Sequence, residues 1–271
     1  MPKLLSFDGN AKTVKGQKKG FLTGILYLSP ADESGISGFN ACPKSTLGCR
    51  ASCLYTAGRA SMFPLINQAR ARKTREYVDN PEAFTEQLRE DIRALVRKAA
   101  REGLTPCVRI NGTSDIPKLA TGLAREFPRV QFYDYTKIPR PWSRTLPNYH
   151  LTFSHSEENL QDCLDSLVHG INVAVVFGTK KSEPLPAFWH GRKVISGDES
   201  DLRFLDGPRG APNTREGIVI GLYAKGRAKK DCTGFVVREL VQIQNFSGGN
   251  YDSIFKSRGA ASAQERWGLG S

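Results

Sequence analysis

The sequence predicts an α/β protein built on parallel strands, in the form of a partial (β/α) barrel. Short apolar runs alternate with segments of helical periodicity in units of about 25 to 40 residues, which is typical of βαβ crossovers. Polar residues follow most of the apolar runs. The chain has 271 residues, and 39% of them are hydrophobic, which excludes disorder over its whole length.

The first half of the alternation contains one strand and two helices. Residues 21–28 form an apolar run bounded by glycine and by Ser-Pro, as a buried strand would be. A helix is predicted over 64–77. The next helix begins at Asn80 and Pro81, a cap residue and a preferred first residue, and ends at Gly103. Its apolar residues recur at intervals of three and four: Phe84, Leu88, Ile92, Leu95 and Ala99.

The second half continues the same pattern. Helices are predicted over 118–126 and 157–169. Strands are predicted over 107–110, 130–135, 149–154, 172–177, 194–196 and 218–222, and residues 234–239 are a candidate for one more.

The segments outside this alternation set the expected domain boundaries. A single domain is expected over 21–244, with a flexible basic arm at 1–20 and a tail at 245–271. The sequence has no apolar run of about 18 residues and no apolar signal segment at its N-terminus. A cytoplasmic protein without membrane association is therefore expected.

The charge balance indicates a polyanionic partner. Lys and Arg number 39 against 27 Asp and Glu, a formal net charge of +12. Positive residues cluster in the N-terminal arm, on a helix face at 70–75 and in the segment 225–230. Binding of DNA or RNA through these segments is expected, although runs of like charge also occur on solvated surfaces.

Three of the six cysteines, Cys42, Cys49 and Cys53, lie within twelve residues. In a reducing compartment such a group indicates a metal site more than disulfides. The separations of six and three residues differ from the close pairs usual for zinc, whereas an iron-sulfur cluster tolerates them and keeps one iron open when it has three protein ligands. Zinc, or three unrelated cysteines, are the alternatives.

The other three cysteines are predicted to lie outside this site. Cys107 begins a predicted strand and Cys163 shares a helix face with leucines, so both are expected in the core. Cys232 is isolated in sequence and is either inert or a fourth ligand. An acidic turn at 197–201 is expected to be solvated rather than to hold a divalent metal.

Polar residues follow successive predicted strands and are expected to lie together. In β/α barrels the carboxyl ends of the strands carry the site. Residues 111–115, 134–137 and 154–156 are therefore expected to surround the cysteine loop, together with 178–180.

The residues from Cys42 to about Asp206 resemble the gene product 88 family of phage proteins. The resemblance is carried by C-P-x(5)-C-x(3)-C-L-Y at 42–55, F-x-D-Y-T-K at 132–137 and L-T-F-S at 151–154. A three-cysteine loop after the first strand of a β/α alternation is also similar to the radical S-adenosylmethionine enzymes. Their usual spacing is three residues and then two, so the spacing here departs from that pattern.

These resemblances imply a phage-encoded iron-sulfur protein with a barrel of the radical S-adenosylmethionine type. They imply a 4Fe-4S cluster on Cys42, Cys49 and Cys53, with S-adenosylmethionine on the open iron. The matching cofactor-binding positions are Gly112, Ser114, Asp115, Lys137 or Lys180, Ser154 and Ser156. His155, as a proton donor, and Asp134 are the candidate catalytic residues. The expected substrate is a nucleic acid or a nucleotide, and the alternative is a non-catalytic iron-sulfur protein that binds nucleic acid.

Overall fold

In a computed structural model, which describes residues 3–7, 11–58, 62–206 and 216–238, the chain forms a mixed α/β fold. Its described residues include a nine-stranded sheet. The predicted α/β class with parallel strands is confirmed. The expected tail at 245–271 lies outside the described residues.

The sheet is mostly parallel. In spatial order its strands are β1, β2, β3, β4, β5, β6, β9, β8 and β7. Pairs from β2 through β6, and the pairs of β9 with β6 and β8, are parallel, while β1 and β7 pair antiparallel at the two edges. The strands are β1 (Leu5–Ser6), β2 (Phe21–Leu26), β3 (Thr105–Arg109), β4 (Gln131–Thr136), β5 (Tyr149–Ser154), β6 (Val173–Phe177), β7 (Phe188–Trp189), β8 (Arg192–Ser196) and β9 (Val219–Tyr223).

Helices occupy most of the connections. They are α1 (Ala11–Gln17), α2 (Leu47–Ala51), α3 (Pro64–Asp79), α4 (Pro81–Arg101), α5 (Pro117–Glu126) and α6 (Leu160–Val168). Short 3₁₀ turns cover Leu54–Thr56, Pro141–Ser143, Arg203–Leu205 and Gly226–Lys230. No helix among the described residues is long and apolar enough to cross a membrane.

Helix α4 follows its sequence signals closely. The Asn80 side chain accepts a hydrogen bond from the Ala83 N–H at 3.0 Å, which caps the helix. Gly103, with φ of +65°, supplies the left-handed conformation that follows the last turn. The five apolar residues predicted to face inward are all buried. The helix packs against β2, where Gly24 leaves room for Leu95: a Cβ at Gly24 would lie 3.0 Å from the Leu95 Cδ2.

Both faces of the sheet are covered. The larger core joins Leu22 and Leu26 of β2 to helices α4 and α5. On the opposite face, Cys107 and Tyr133 pack with Leu202. Cys107 and Cys163 are completely buried, so the prediction that both are core residues is confirmed.

The strand order advances in one direction from β2 to β6, as it does in a barrel. After β6 the chain forms the β7–β8 hairpin and then returns, so that β9 lies between β6 and β8. Within the described residues the sheet therefore ends at two edges, β1 and β7, and is open. Residues 234–238 contribute one isolated parallel bridge, between Val237 and Phe177, rather than the candidate strand.

The N-terminal segment differs from the flexible arm expected at 1–20. Leu4, Leu5 and Phe7 are buried in the main core, and β1 pairs with β2. The backbone N–H groups of Leu4 and Leu5 donate to the Asp91 Oδ2 at 2.6 and 2.9 Å. Apolar residues between the lysines thus tie this segment to α4, and the domain begins before residue 21.

Candidate functional site at the carboxyl edge of the sheet

The cysteine loop connects β2 to α3 and is bound to the turn that follows β3. The Asp115 N–H donates to the Ala41 carbonyl at 2.8 Å, and the Cys42 thiol donates to the Thr113 carbonyl at 3.7 Å. Because β2 and β3 are parallel neighbours, both segments leave the sheet at its carboxyl edge. The first cysteine is therefore fixed beside the 111–115 turn, as the sequence predicts.

A second anchor comes from Glu157, which follows β5. Its carboxylate accepts hydrogen bonds from the Gly48 N–H at 2.6 Å and the Thr46 hydroxyl at 2.8 Å. The Thr46 Oγ1 in turn accepts from the Cys49 N–H at 3.2 Å and caps α2. Position 48 has no room for a side chain, since a Cβ there would overlap the Thr233 Oγ1.

The segment after β9 forms the third side of the site. The Asp231 Oδ1 accepts from the Ser52 hydroxyl at 3.4 Å, and its Oδ2 accepts from the Val236 N–H at 3.0 Å. Ala228 and Val236 belong to a small buried cluster against which Cys49 packs. The loop is thus held by the residues after β3, β5 and β9.

The three cysteine side chains are free thiols, each partly buried. Burial raises the pKa of Cys42 to about 12, and the charges of Asp115, Cys53 and Cys49 also raise it. Burial likewise raises the pKa of Cys53, and the Cys49 charge adds to the rise. The charges of the neighbouring thiols thus contribute to the pKa of Cys42 and of Cys53.

Two cations lie beside these thiols. Positive charge on Lys137 and Arg70 opposes the rise in the pKa of Cys53. The Arg70 guanidinium carbon lies 5.2 Å from the Tyr27 ring centroid and 5.4 Å from that of Tyr55. The Arg70 Nε and Nη1 are buried and have no hydrogen-bond partner among the described residues. An unpaired buried guanidinium favours a negatively charged neighbour.

The turn after β3 has a fixed conformation. A Cβ at Gly112 would lie 2.5 Å from the Leu26 carbonyl oxygen, so the turn closes on the end of β2 only with glycine. The Ser114 hydroxyl donates to the Asn111 Oδ1 at 3.1 Å. The Asp115 Oδ2 accepts from the Lys137 N–H at 2.8 Å and from the Thr136 hydroxyl at 3.1 Å. Burial raises the pKa of Asp115.

Asp134 lies beneath this turn and is 1% exposed. Its carboxylate accepts from the Asn111 N–H at 2.7 Å, the Asn111 amide at 3.1 Å and the Tyr149 hydroxyl at 3.0 Å. Burial raises its pKa to about 7. These contacts make Asp134 a brace for the turn that follows β3.

The residues at the end of β5 lie near Lys137. The Lys137 Nζ donates to the Ser154 Oγ at 3.0 Å. The His155 ring packs edge-on to Trp189 at 5.5 Å, and its buried Nδ1 has no hydrogen-bond partner among the described residues. Burial and the Lys137 charge lower the pKa of His155 to about 4. The Ser156 hydroxyl is buried and likewise unpartnered within the described part of the chain.

Several other candidates lie apart from this arrangement. Lys180 is 81% exposed and pairs with Glu183. Cys232 is exposed, and its charge does not contribute to the pKa shifts of Cys42 and Cys53. In the acidic turn, Asp198 pairs with Lys225.

In the described ranges, no group of three or more His, Cys, Asp or Glu side chains is placed to hold a metal ion.

The predicted basic face at 70–75 is wrong as a continuous surface. Arg70 lies between two tyrosine rings, and the Lys73 Nζ donates to the Leu4 carbonyl at 2.6 Å. Arg72 pairs with Glu76. Of the four positive residues, only Arg75 is both exposed and without an ion pair to another described residue. Two cations of the helix therefore pack against other segments: Lys73 contacts the N-terminal segment and Arg70 contacts the cysteine loop.

The chain is an α/β protein with a mostly parallel sheet, and the loop that contains Cys42, Cys49 and Cys53 lies at the carboxyl edge of that sheet. The model of the gene product 88 family matches residues 3–239. The chain belongs to this family, which confirms the resemblance seen in the sequence and extends it from about 165 residues to all of the described residues. No curated protein and no solved structure matches the chain.

Proposed function

We propose that the protein is an iron-sulfur enzyme in which Cys42, Cys49 and Cys53 hold a 4Fe-4S cluster. The observation that carries the proposal is that these three cysteines lie together in one loop at the carboxyl edge of a parallel sheet. Enzymes of the β/α barrel class build their active sites at this edge. The proposed fold is a partial (β/α) barrel of the radical S-adenosylmethionine type, and the one-directional order of β2 to β6 supports it.

The donor set fits a cluster better than a single ion. Cysteine thiolates are the usual ligands of iron-sulfur clusters. In a cluster each thiolate would bind a different iron, so the sulfur atoms need not meet at one point. A single zinc ion requires all of its ligands to converge on one point. Three thiolates on a cluster also leave net negative charge, and Arg70 and Lys137 place positive charge beside Cys53.

Three protein ligands leave one iron for a small molecule, and we assign it to the amino and carboxylate groups of S-adenosylmethionine. The chemistry that a bound cluster supplies is the transfer of one electron, which cleaves this cofactor reductively. We assign Lys137 to neutralise the carboxylate, and two observations support the assignment: its ammonium group donates to the Ser154 Oγ at the edge of the site, and it forms no ion pair with a described residue. The exposed Lys180 is not so placed. The remaining assigned contacts are Gly112, Ser114, Asp115, Ser154 and Ser156.

His155 is assigned to the substrate. Its lowered pKa makes it neutral at pH 7, and its buried Nδ1 lacks a partner among the described residues, so it can exchange a hydrogen bond or a proton with a bound molecule. The substrate proposed for this site is a nucleic acid or a nucleotide, consistent with the net charge of +12.

The test is cofactor cleavage by the anaerobically reconstituted full-length protein. S-adenosylmethionine and dithionite are added, and 5′-deoxyadenosine is measured by chromatography. The proposal predicts 5′-deoxyadenosine from the wild type and none from Cys49→Ala. Cys232→Ala, which removes an exposed cysteine outside the site, should retain the activity.

A cluster that forms without cleaving S-adenosylmethionine would contradict the enzyme and support the non-catalytic iron-sulfur alternative. Loss of activity in Cys232→Ala would contradict the assignment of three ligands and one open iron.

A further inference from the structure

The Gly226–Lys230 turn places exposed cations directly against the cysteine site. Its buried residue, Ala228, packs in the cluster that Cys49 joins. Gly226 has φ of +57° and lies against the cysteine loop, where a Cβ at Gly226 would come within 2.8 Å of the Ala57 Cβ. The turn and the loop are therefore in direct contact, and whatever the turn binds is held beside the cysteines.

Three cations of this turn point outward. Arg227, Lys229 and Lys230 are exposed and form no ion pair with any described residue. Residues three apart eclipse one another in a 3₁₀ helix, so Arg227 and Lys230 lie on the same side. The Arg238 guanidinium donates to the Lys229 carbonyl at 2.8 Å and adds a further positive charge at the end of the turn.

The other basic segments of the sequence do not offer the same surface. Arg70 and Lys73 point inward, as described above. In the N-terminal segment the Lys15 Nζ donates to the Asp198 carbonyl at 3.0 Å. Within the turn's own segment, Lys225 is paired with Asp198. Lys18 and Lys19 are exposed too, but they precede β2, whereas the cysteine loop follows it. Among the described residues, the exposed cations next to the site that form no ion pair are therefore those of the turn, together with Lys44 of the cysteine loop.

We propose that the Gly226–Lys230 turn binds the phosphates of a nucleic-acid strand and holds the strand beside the cysteine site. Adjacent exposed cations fit a polymer with regularly spaced negative charges, whereas a mononucleotide would meet few of them at once. The substrate of the site is then a nucleic acid rather than a free nucleotide. This substrate assignment rests on the proposed function, but binding of the strand to the turn does not require the cluster.

The test compares two triple variants of the full-length protein that lose equal charge. One is Arg227→Ala/Lys229→Ala/Lys230→Ala, and the other is Arg75→Ala/Arg97→Ala/Lys118→Ala, which removes exposed cations from α3, α4 and α5. Binding of a fluorescein-labelled single-stranded oligonucleotide is measured by fluorescence anisotropy over a range of salt concentrations. DNA and RNA of the same sequence are both used.

The turn variant should bind at least about tenfold more weakly than wild type, and its plot of log affinity against log salt should be shallower by about 2, at about 0.7 per lost phosphate contact. The helix variant should stay within about twofold of wild type. Equal loss in both variants, no binding by wild type, or equal competition by adenosine monophosphate would overturn the proposal.

Iron content separates this proposal from the proposed function. The turn variant should keep the iron of the wild type, and Cys49→Ala should bind the oligonucleotide although it lacks iron. If the wild type binds no iron but still binds the oligonucleotide through the turn, the assignment of the turn holds and the proposed iron-sulfur enzyme is contradicted.

Discussion

Asp134 illustrates how burial and hydrogen bonding determine the role of a single residue. Asp134 lies in the carboxyl half of β4, is 1% exposed and accepts three hydrogen bonds. Its partner Asn111 begins the turn that carries Ser114 and Asp115. The contribution of Asp134 to the site is therefore made through the position of that turn.

Asp134 should give the stability of the protein a distinctive pH dependence. Its pKa is about 7 in the folded chain against 3.8 as the ordinary value, so the folded state binds the proton more tightly. This stabilisation is fully present below about pH 4 and is lost as the pH rises through 7. The free energy of unfolding of wild type relative to Asp134→Asn should fall by about 1.4 kcal/mol per pH unit between about pH 5 and 6.5.

Urea unfolding followed by circular dichroism at a series of pH values measures this difference. The difference in the free energy of unfolding between wild type and Asp134→Asn should level off above about pH 8, where the carboxylate is ionised in both the folded and the unfolded state. A difference that stays constant from about pH 5 to 8 would contradict the buried, protonatable position of Asp134.

Sequence reasoning located the cysteines and missed their supports. The cysteines were found because three lie close together in sequence. Glu157 and Asp231 support them from more than 100 residues away, and no local pattern marks either residue. Glu157 is followed by Glu158, and only the fold distinguishes the carboxylate that binds the loop from the exposed one.

Among the secondary-structure elements, helix boundaries were predicted best where capping and periodicity agree. Helix α4 has both signals and is found within two residues of its expected end. Helix α6 begins at Leu160 rather than at 157, because the Asn159 side chain binds the Ser156 N–H at 2.7 Å and the Ser154 carbonyl at 3.0 Å. This turn keeps Glu157 out of the helix and directs it to the cysteine loop.

Glu157→Ala should loosen α2 without unfolding the sheet. The change leaves the Gly48 N–H and the Thr46 hydroxyl without their acceptor, at a cost of about 1 to 3 kcal/mol. Amide hydrogen exchange at Gly48 and Cys49, measured by mass spectrometry, should be about tenfold faster than in wild type. Glu158→Ala, at an exposed neighbouring position, is the matched control. Equal exchange in the two variants would count against the anchor.

At the scale of the whole molecule, the N-terminal segment changes the picture of the domain. Its lysines suggest a solvated arm, but the apolar residues between them complete the core and extend the sheet by one strand. Charge density alone could not reveal this, because the pairing partner Leu26 and the acceptor Asp91 lie far away in sequence.

Leu5→Ala should therefore destabilise the whole domain. Leu5 is 3% exposed and packs over Gly24, so its truncation should cost about 2 to 5 kcal/mol in the free energy of unfolding. Val14→Ala, in the same N-terminal segment but 46% exposed, should cost less than about 0.5 kcal/mol. Thermal and urea unfolding measure both. Similar small losses of stability at the two positions would contradict the packing of this segment and support a flexible arm.

The class of the fold could be predicted from sequence, whereas the arrangement of the sheet could not. Alternating strand and helix patterns are local, and they indicate parallel strands with crossover helices. The placement of β9 between β6 and β8, and the open edges at β1 and β7, depend on packing between distant segments. Register and order of this kind leave no mark in a single sequence.

The central claim is that the loop cysteines hold an iron-sulfur cluster, and metal analysis tests it most directly. Iron and acid-labile sulfide are measured per chain after anaerobic reconstitution of wild type, Cys49→Ala and Cys232→Ala. The account predicts about four iron and four sulfide in wild type and in Cys232→Ala, and a large loss in Cys49→Ala. Zinc in place of iron, or iron unchanged in Cys49→Ala, would contradict it.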